Sequence, residues 1–488
     1  MTDQLTDKPQ KNAITLVEAL IPLIFLVILL SFNVIYAFGD ASLAGSNQFI
    51  LFLSGAVAAL IGFKNKVPYK SMMNKISKNI KDTSGAIYIL LMVGALSGTW
   101  LLSGIIPSMV YYGLQILHPS YFLVACVLIC SLISVATGSS WTTSATIGIA
   151  LIGIGSTLGF NLGMVAGAVV SGAYFGDKLS PMSDTTNLAP AMAGTDLFTH
   201  IKYMMITTIP TYVLTLIIFI ILGLTQDNLG KSDINSTLES ISSTFNVTPW
   251  LFIVPIVVIG LIIKKTEPLI ALLIGTLLGA LFAFIFQKDI VLQASGETTA
   301  SGINYYKGIM NALTVATEVP TDNETLKDLF KAKGMSGMLG TIWLVLCAMV
   351  FGGVMEAIGA LKKITQVLMN LFQSVFGLFA STVASCLTLN FTTSDQYLAI
   401  VVPGKMFAKA YKDKGLAPEN LSRTLEDSGT VTSVLIPHNT CGAYQAGVLG
   451  VSTIEYLPYA FFNIISPFMT LIVVALNFNI KLLKPKAV

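Results

Sequence analysis

Between Gly172 and Thr195 the chain reads GAYFGDKLSPMSDTTNLAPAMAGT. Two carboxylates, Asp177 and Asp184, stand seven residues apart among Lys178, the hydroxyls of Ser180, Ser183, Thr185 and Thr186, and the amide of Asn187. Seven residues are two turns of one helix face. Pro181 stands between the two acids and disfavours an unbroken helix, so they are expected to approach one site from either side of a break. Hydroxyl and carbonyl oxygens around a carboxylate suit a hard cation such as Na⁺. A carboxylate in a low dielectric favours a proton unless a cation is near. It can therefore hold either one, and each expels the other. That exclusion is the minimal chemistry for exchanging a cation against protons. The structural alternative is that Asp177 pairs with Lys178 or caps a helix end.

The surroundings of this stretch decide how much such chemistry means. The chain has 488 residues, 54% hydrophobic and only 11% charged, with a mean hydropathy of +0.77. Soluble domains carry roughly 25% charged residues. Apolar runs long enough to cross a bilayer recur along the sequence. They are continuous rather than alternating, which excludes an outer-membrane barrel. The fold class expected is an all-α polytopic membrane protein with about 10–13 membrane segments. Prolines and polar side chains at membrane depth are tolerated where they line a pathway or a bound ion. The five cysteines all lie in apolar stretches and read as packed free thiols. Arg423 is the only arginine, so a bidentate clamp for a carboxylate or phosphate is nearly absent.

Lysines set the orientation. Six of them and no acid lie between Lys64 and Lys81, after spans expected at 16–37 and 49–63, which puts this loop and the N-terminus, with Lys8 and Lys11, in the cytoplasm. A third span is expected near 85–107 and another at 203–224, and the polar stretch 225–248 reads as external. After it the pattern begins again, with spans near 250–263, 269–286, 337–360 and 457–478. Lys264, Lys265, Lys362, Lys363, the run Lys405–Lys414 and Lys481, Lys484 and Lys486 all then fall inside, so the C-terminus is cytoplasmic too.

The two halves match element by element. Trp141-Thr142-Thr143-Ser144 stands against Phe391-Thr392-Thr393-Ser394, and Ser171-Gly172 leading to Leu179-x-Pro181 stands against Ser428-Gly429 leading to Leu435-x-Pro437. The first half starts inside and the second outside. The reading is two inverted repeats, 1–225 and 249–488, joined by an external linker at 226–248. Such repeats with interrupted helices point to a secondary transporter with its site at the midplane. Residues 121–158 and 375–410 are expected as re-entrant hairpins with tips at 138–144 and 392–395. The stretches 181–187 and 437–440 are expected as the unwound middles of crossing helices.

The ion-binding set expected is therefore Asp177, Ser183, Asp184, Thr185, Thr186 and Asn187 at the first break, Ser139 and Thr142 at the first tip, Thr393, Ser394 and Asp395 at the second, and Asn439 at the second break. Na⁺ is expected at Asp184 and Asp395. Proton coupling is expected of Asp184, Asp177, Asp427 and His438, the histidine in Pro437-His438-Asn439-Thr440. Asp395 would also suit the N-cap of the helix after it. There is no P-loop to drive transport with ATP, and no interfacial catalytic cluster of an enzyme.

The run SGAYFGDKLSPMSDTTNLAPAMAGTDLFTHI, Ser171–Ile201, resembles the signature of the NhaC family of sodium/proton antiporters, and the surrounding spans fit that family over most of the chain. The resemblance implies secondary exchange of cytoplasmic Na⁺, or Li⁺, for external protons across a bacterial cytoplasmic (inner) membrane. It implies hairpin-bearing inverted repeats and a homodimer in the lipid bilayer. It implies no cofactor beyond Na⁺ and H⁺ as transported ions, and no nucleic acid. Residue by residue it reaches Asp177, Ser183, Asp184, Thr185, Thr186 and Asn187; the second-half residues rest on the repeat. The family also holds exchangers of organic anions such as malate and lactate. An organic-anion or amino-acid exchanger on the same fold therefore stands as the alternative. The single arginine speaks against carboxylate substrates, although helix N-termini can bind them without one.

Overall fold

The computed structural model describes residues 14–38, 45–225, 234–323, 326–327, 329–370 and 374–483. Lys8, Lys11, Lys484, Lys486 and the 226–233 part of the linker lie outside the described residues.

α1 (Leu16–Phe32) starts from a capping box in which Thr15 and Glu18 satisfy each other's backbone donors, the arrangement that closes free amides at a helix start. α2 (Ser46–Lys64) follows. α3 (Tyr69–Leu102) begins well inside the lysine-rich stretch that reads as a loop. The reason is amphipathic spacing. Met72, Ile76, Asn79 and Thr83 are buried at helical intervals while Lys70, Lys78 and Lys81 point outward and Lys75 pairs with Glu356 at 2.6 Å, so the basic segment forms a helix that continues into the apolar one. After α4 (Ile105–Ile116) come α5 (Pro119–Thr137), the short α6 (Ser140–Thr143), a π-helical turn at Ser144–Gly148 and α7 (Ile149–Thr157). These last elements form the first expected hairpin. α8 (Leu162–Leu179) ends at Pro181, and α9 (Asp184–Ala193) and α10 (Leu197–Leu224) follow.

The rest begins with α11 (Ile234–Thr244), α12 (Ile253–Ile263) and α13 (Pro268–Phe286). After α13 come α14 (Lys288–Ala294), α15 (Gly302–Thr314) and a small antiparallel pair, β1 (Thr317–Glu318) and β2 (Lys331–Ala332), in which Thr317 faces Ala332. This pair and an isolated antiparallel bridge between Leu416 and Leu482 are the departures from an all-helical reading among the described residues. α16 (Leu339–Ala357) and α17 (Ala360–Asn370) precede the second hairpin, α18 (Val375–Thr393) and α19 (Gln396–Asp413). α20 (Pro418–Leu425) passes into a π-helical turn at Glu426–Thr430. An irregular stretch then runs to α21 (Thr440–Leu449), followed by α22 (Thr453–Tyr456) and α23 (Phe461–Ala475).

Among the described residues seven helices are long and apolar enough to cross a membrane, and nine spans result if each of two bent pairs is counted as one. The other expected segments are short or interrupted, as in α1 with 17 residues and the α8–α9 pair. Outer helices expose their apolar side chains, for example Ile217 and Ile221 of α10 and Leu277 and Leu281 of α13. That inside-out pattern is what lipid as solvent requires. The halves interlock: α3 packs on α13, α15 and α16, and α8 packs on α23.

α8 is the central element, with all but three of its residues buried. It lies along α5 at the closest approach that small residues allow. A Cβ on Gly172 would sit 2.3 Å from the Val127 carbonyl oxygen, and one on Gly176 would sit 2.6 Å from that of Ser131. The Ser134 hydroxyl donates to the Ala173 carbonyl across the same seam at 2.6 Å. Gly176→Leu gains up to about 1 kcal/mol of helix propensity, but pushing backbone apart costs about 1–3 kcal/mol. The steric effect wins, so the variant is expected to melt earlier in detergent than the wild type. An unchanged melting temperature would show that α5 can move aside.

Candidate ion-binding site

Both breaks are sewn up by side chains, because backbone groups left free by an interrupted helix must find partners in an apolar medium. At the first, the Thr186 hydroxyl donates to the carbonyls of Asp177 and Lys178 at 3.1 and 3.0 Å. The Asn187 amide donates to those of Pro181 and Ser183 at 2.9 and 2.7 Å. At the second, the Tyr456 hydroxyl donates to the Val434 carbonyl at 2.6 Å and the Asn463 amide to that of Val431 at 2.8 Å. The hairpin tips are held in the same way. Gly138 turns the first tip with φ +72°, and a side chain there would strike Met182 of the first break. Ser394 turns the second with φ 58°, and its carbonyl accepts from the Thr440 amide at 2.9 Å.

These four pieces enclose a cavity of about 530 Å³. Thr137, Gly138 and Ser139 line it from the first tip, Asp177, Ser183, Asp184 and Thr185 from the first break, Asp395, Gln396 and Tyr397 from the second tip, and Thr440 from the second break. Asp82 at the midpoint of α3 adds a further carboxylate, and the cavity reaches the surface beside Lys265 and Glu267. Asp177 accepts from both the backbone amide and the hydroxyl of Ser140, at 3.2 and 2.6 Å, so it ties the end of α8 to the first tip. Asp184 is exposed to the cavity mouth, with the Tyr397 hydroxyl 3.5 Å away. Asp184 lies in the first turn of α9 and Asp395 caps α19 by accepting from the Leu398 amide at 2.9 Å.

The expected residues thus divide into groups. Asp177, Ser183, Asp184, Thr185, Ser139 and Asp395 face the cavity together. Thr186 and Asn187 close the first break. Thr142 bonds Ser139 at 3.1 Å, and Thr393 bonds the Leu389 and Asp395 carbonyls at 2.8 and 3.1 Å. Asn439 bonds the Asn390 carbonyl at 3.0 Å, and His438 bonds that of Phe391 at 2.8 Å. Ser394 keeps a buried hydroxyl without a partner. Asp427 lies elsewhere, fully buried in an ion pair with Lys178, and accepts from Ser466 and Thr470. Lys178 therefore does not pair with Asp177; the two neighbours on α8 point to different places.

Asp82, Ser140 and Tyr397 were not assigned from the sequence. Asp82 is the first acid after six lysines and immediately precedes an apolar run, a visible signal. Ser140 and Tyr397 carry none, because their role comes only from what they touch. His200 is fully buried, with Nδ1 2.8 Å from the Ser422 hydroxyl.

Residues 172–478 match the model of the Na⁺/H⁺ antiporter family. The Na(+)/H(+) antiporter NhaC of Alkalihalophilus pseudofirmus is 38% identical over 416 residues, covering 85% of this chain and 87% of that protein. The malate-2H(+)/Na(+)-lactate antiporter of Bacillus subtilis is 37% identical over 455 residues, 93% of this chain and 92% of that one. The arginine/ornithine antiporter ArcD of Halobacterium salinarum is 34% identical over 408 residues, 83% and 81% respectively. The family match opens at Gly172 and so takes in both breaks and the second tip, three of the four pieces that wall the cavity. On that span and those identities, the chain belongs to the NhaC-type Na⁺/H⁺ antiporter family.

Proposed function

We propose that the chain exchanges Na⁺ for protons by secondary active transport, binding each in turn in the cavity between the hairpin tips and the breaks. The carrying observation is the convergence of Asp82, Asp177, Asp184 and Asp395 on one cavity from four separate elements. Asp177, Asp184 and Asp395 would share the cation, with Ser139, Ser183 and Thr185 as neutral oxygen ligands. Thr142, Thr186, Asn187, Thr393, Ser394, Asn439 and His438 would hold the walls, and Asp427 would couple to the proton through Lys178. No cofactor is needed beyond the transported ions.

The cavity opens beside Lys265 and Asp82, next to the lysine-rich segments that the positive-inside rule assigns to the cytoplasm. On that assignment the conformation is open inward, in a bacterial inner membrane, with both termini cytoplasmic. A second cavity of about 550 Å³ lies at the far ends of the same helices, lined by Leu162 of α8 and Gly447 and Leu449 of α21. Between the two, Tyr444 of α21 stacks on Trp141 at 4.0 Å between ring centroids and donates to the Trp141 carbonyl at 3.0 Å. Parting that stack would open the other side. The two-repeat organisation, 1–225 and 249–488 about the 226–248 linker, and a homodimer belong to the same proposal; paired tips and paired breaks support the first.

A second reading is exchange of an organic substrate coupled to the same ions, and the cavity volume favours weighing it, since it far exceeds a bare ion. Its lining holds five acids against Lys265, which disfavours malate or lactate and suits a cationic amino acid better. ²²Na⁺ flux and labelled malate, lactate and arginine counterflow in the same proteoliposomes separate the readings. Sodium flux that needs no organic solute is expected. Because proton and Na⁺ compete, each unit fall in pH below the site pKa should raise the apparent Na⁺ constant about tenfold. An apparent constant that does not move with pH would end the shared-site mechanism.

A further inference from the structure

Behind the cavity, on the other side of the α8 end, lies a second group of charges with no solvent contact. Lys178, Asp427 and Glu426 are all fully buried. Asp427 accepts from the Lys178 ammonium, the Ser466 hydroxyl and the Thr470 hydroxyl. Glu426, its neighbour in the π-helical turn, has no hydrogen-bond partner on either carboxyl oxygen. The Thr430 hydroxyl, one turn on, faces the Glu426 carboxyl without closing a hydrogen bond to it.

No donor reaches Glu426: the Lys178 ammonium is taken by Asp427, and the Arg423 guanidinium, equally buried three residues before it, makes no hydrogen bond with any of its nitrogens. A buried carboxylate left ionised without a hydrogen-bond partner costs several kcal/mol. The pair Lys178–Asp427 is neutral, and Glu426 stays neutral by keeping its proton. The other charged and titratable groups around it do not change this. From α8 Asp177 faces it with the wrong sign, and α20 adds Arg423, whose guanidinium is turned onto the Tyr203 ring at 4.7 Å. From α10 His200 stands behind the Lys178–Asp427 pair. α19 adds Tyr411, bonded to Thr382, and the outward Lys405 and Lys409; α18 adds the Cys386 thiol, α9 the exposed Asp184, and α23 only hydroxyls. π-helical turns inside α-helices recur at functional sites, and this one leads directly into the second break.

We propose that Glu426 is a second proton-carrying group of the exchange cycle, separate from the cavity carboxylates; this rests on the Na⁺/H⁺ exchange reading above. Glu426 takes a proton from one face of the membrane and returns it to the other. Only its O–H bond is made and broken, and Na⁺ is bound elsewhere. It loads from the external face and is still loaded when the inward conformation forms; Na⁺ binding shifts the second break, the carboxylate comes within reach of Lys178, and the proton leaves to water on the cytoplasmic side.

The test is the proton-to-sodium ratio, read from the reversal potential of exchange in proteoliposomes of the full chain. Glu426→Gln keeps size and polarity and loses only the titration. It is expected to keep Na⁺ transport and move one proton fewer per cycle, and Glu426→Asp is expected to restore the wild-type ratio. An unchanged ratio in Glu426→Gln overturns the proposal and leaves the exchange reading intact. Should Glu426→Gln not turn over, protons released on Na⁺ addition to the detergent-purified variant in unbuffered solution give the count. One fewer than wild type supports the proposal and an equal number overturns it. A wild type without Na⁺-dependent proton movement removes both the exchange reading and this inference.

Discussion

Asp177→Asn is expected to abolish Na⁺-dependent proton movement at sodium concentrations that saturate the wild type. Asn keeps an oxygen to accept from the Ser140 amide and hydroxyl, so the link between α8 and the first hairpin tip survives. What goes is the negative charge. A charge-assisted contact is worth about 1.5–3 kcal/mol, or roughly 10- to 150-fold in apparent affinity. Proton competition goes with it, because an amide does not titrate. The expected record is therefore a residual flux at high Na⁺ whose sodium dependence no longer shifts with pH. Asp184→Asn is expected to act in the same direction but less strongly, since Asp184 sits at the exposed mouth. Ser140→Ala separates the alternatives: it removes a donor and leaves the charge, so its effect should be small beside that of Asp177→Asn. If Asp177→Asn exchanges like the wild type across pH, Asp177 is a tie between two helices and nothing more.

Asp177 also shows what a sequence can and cannot disclose about such a protein. The breaks were legible because proline and clustered polar residues in an apolar run have few tolerable positions. The hairpin tips were legible for the same reason, and the helix ends fall within a few residues of expectation at α2, α5 and α13. Division of labour inside the hydroxyl runs was not legible. Ser183 and Thr185 face the cavity while Thr186 and Asn187 turn back on carbonyls of the break, and neighbours of one chemical type differ only by the direction of a helix face. Lys178 is the clearer case. Next to Asp177 in the chain, it suggests a local pair, yet its partner Asp427 is 249 residues away. Pairings of that range are fixed by the packing of α8 against α23 and the π-helical turn, which no local pattern encodes. The helical reach of α3 through the lysines is masked by its charge and carried only by the spacing of Met72, Ile76, Asn79 and Thr83.

That long-range pair gives the largest expected effect on stability. Lys178→Met leaves the Asp427 carboxylate fully buried with only the Ser466 and Thr470 hydroxyls, and breaking one side of a buried pair costs about 3–5 kcal/mol. Combining Lys178→Met with Asp427→Asn removes both charges and keeps an acceptor for Thr470. Replacement of a whole buried pair is often neutral or stabilising by about 1–4 kcal/mol, so the double variant is expected to melt well above the single one in detergent. Equal melting temperatures would mean that the two side chains do not hold each other. Function then separates structure from coupling. A stable double variant that exchanges with the wild-type pH profile would make the pair a clamp between α8 and the second break. Loss of exchange in a protein that is folded and still binds Na⁺ would place the moving proton on the far side of α8 from the sodium cavity, so that the end of this one helix separates the two ions.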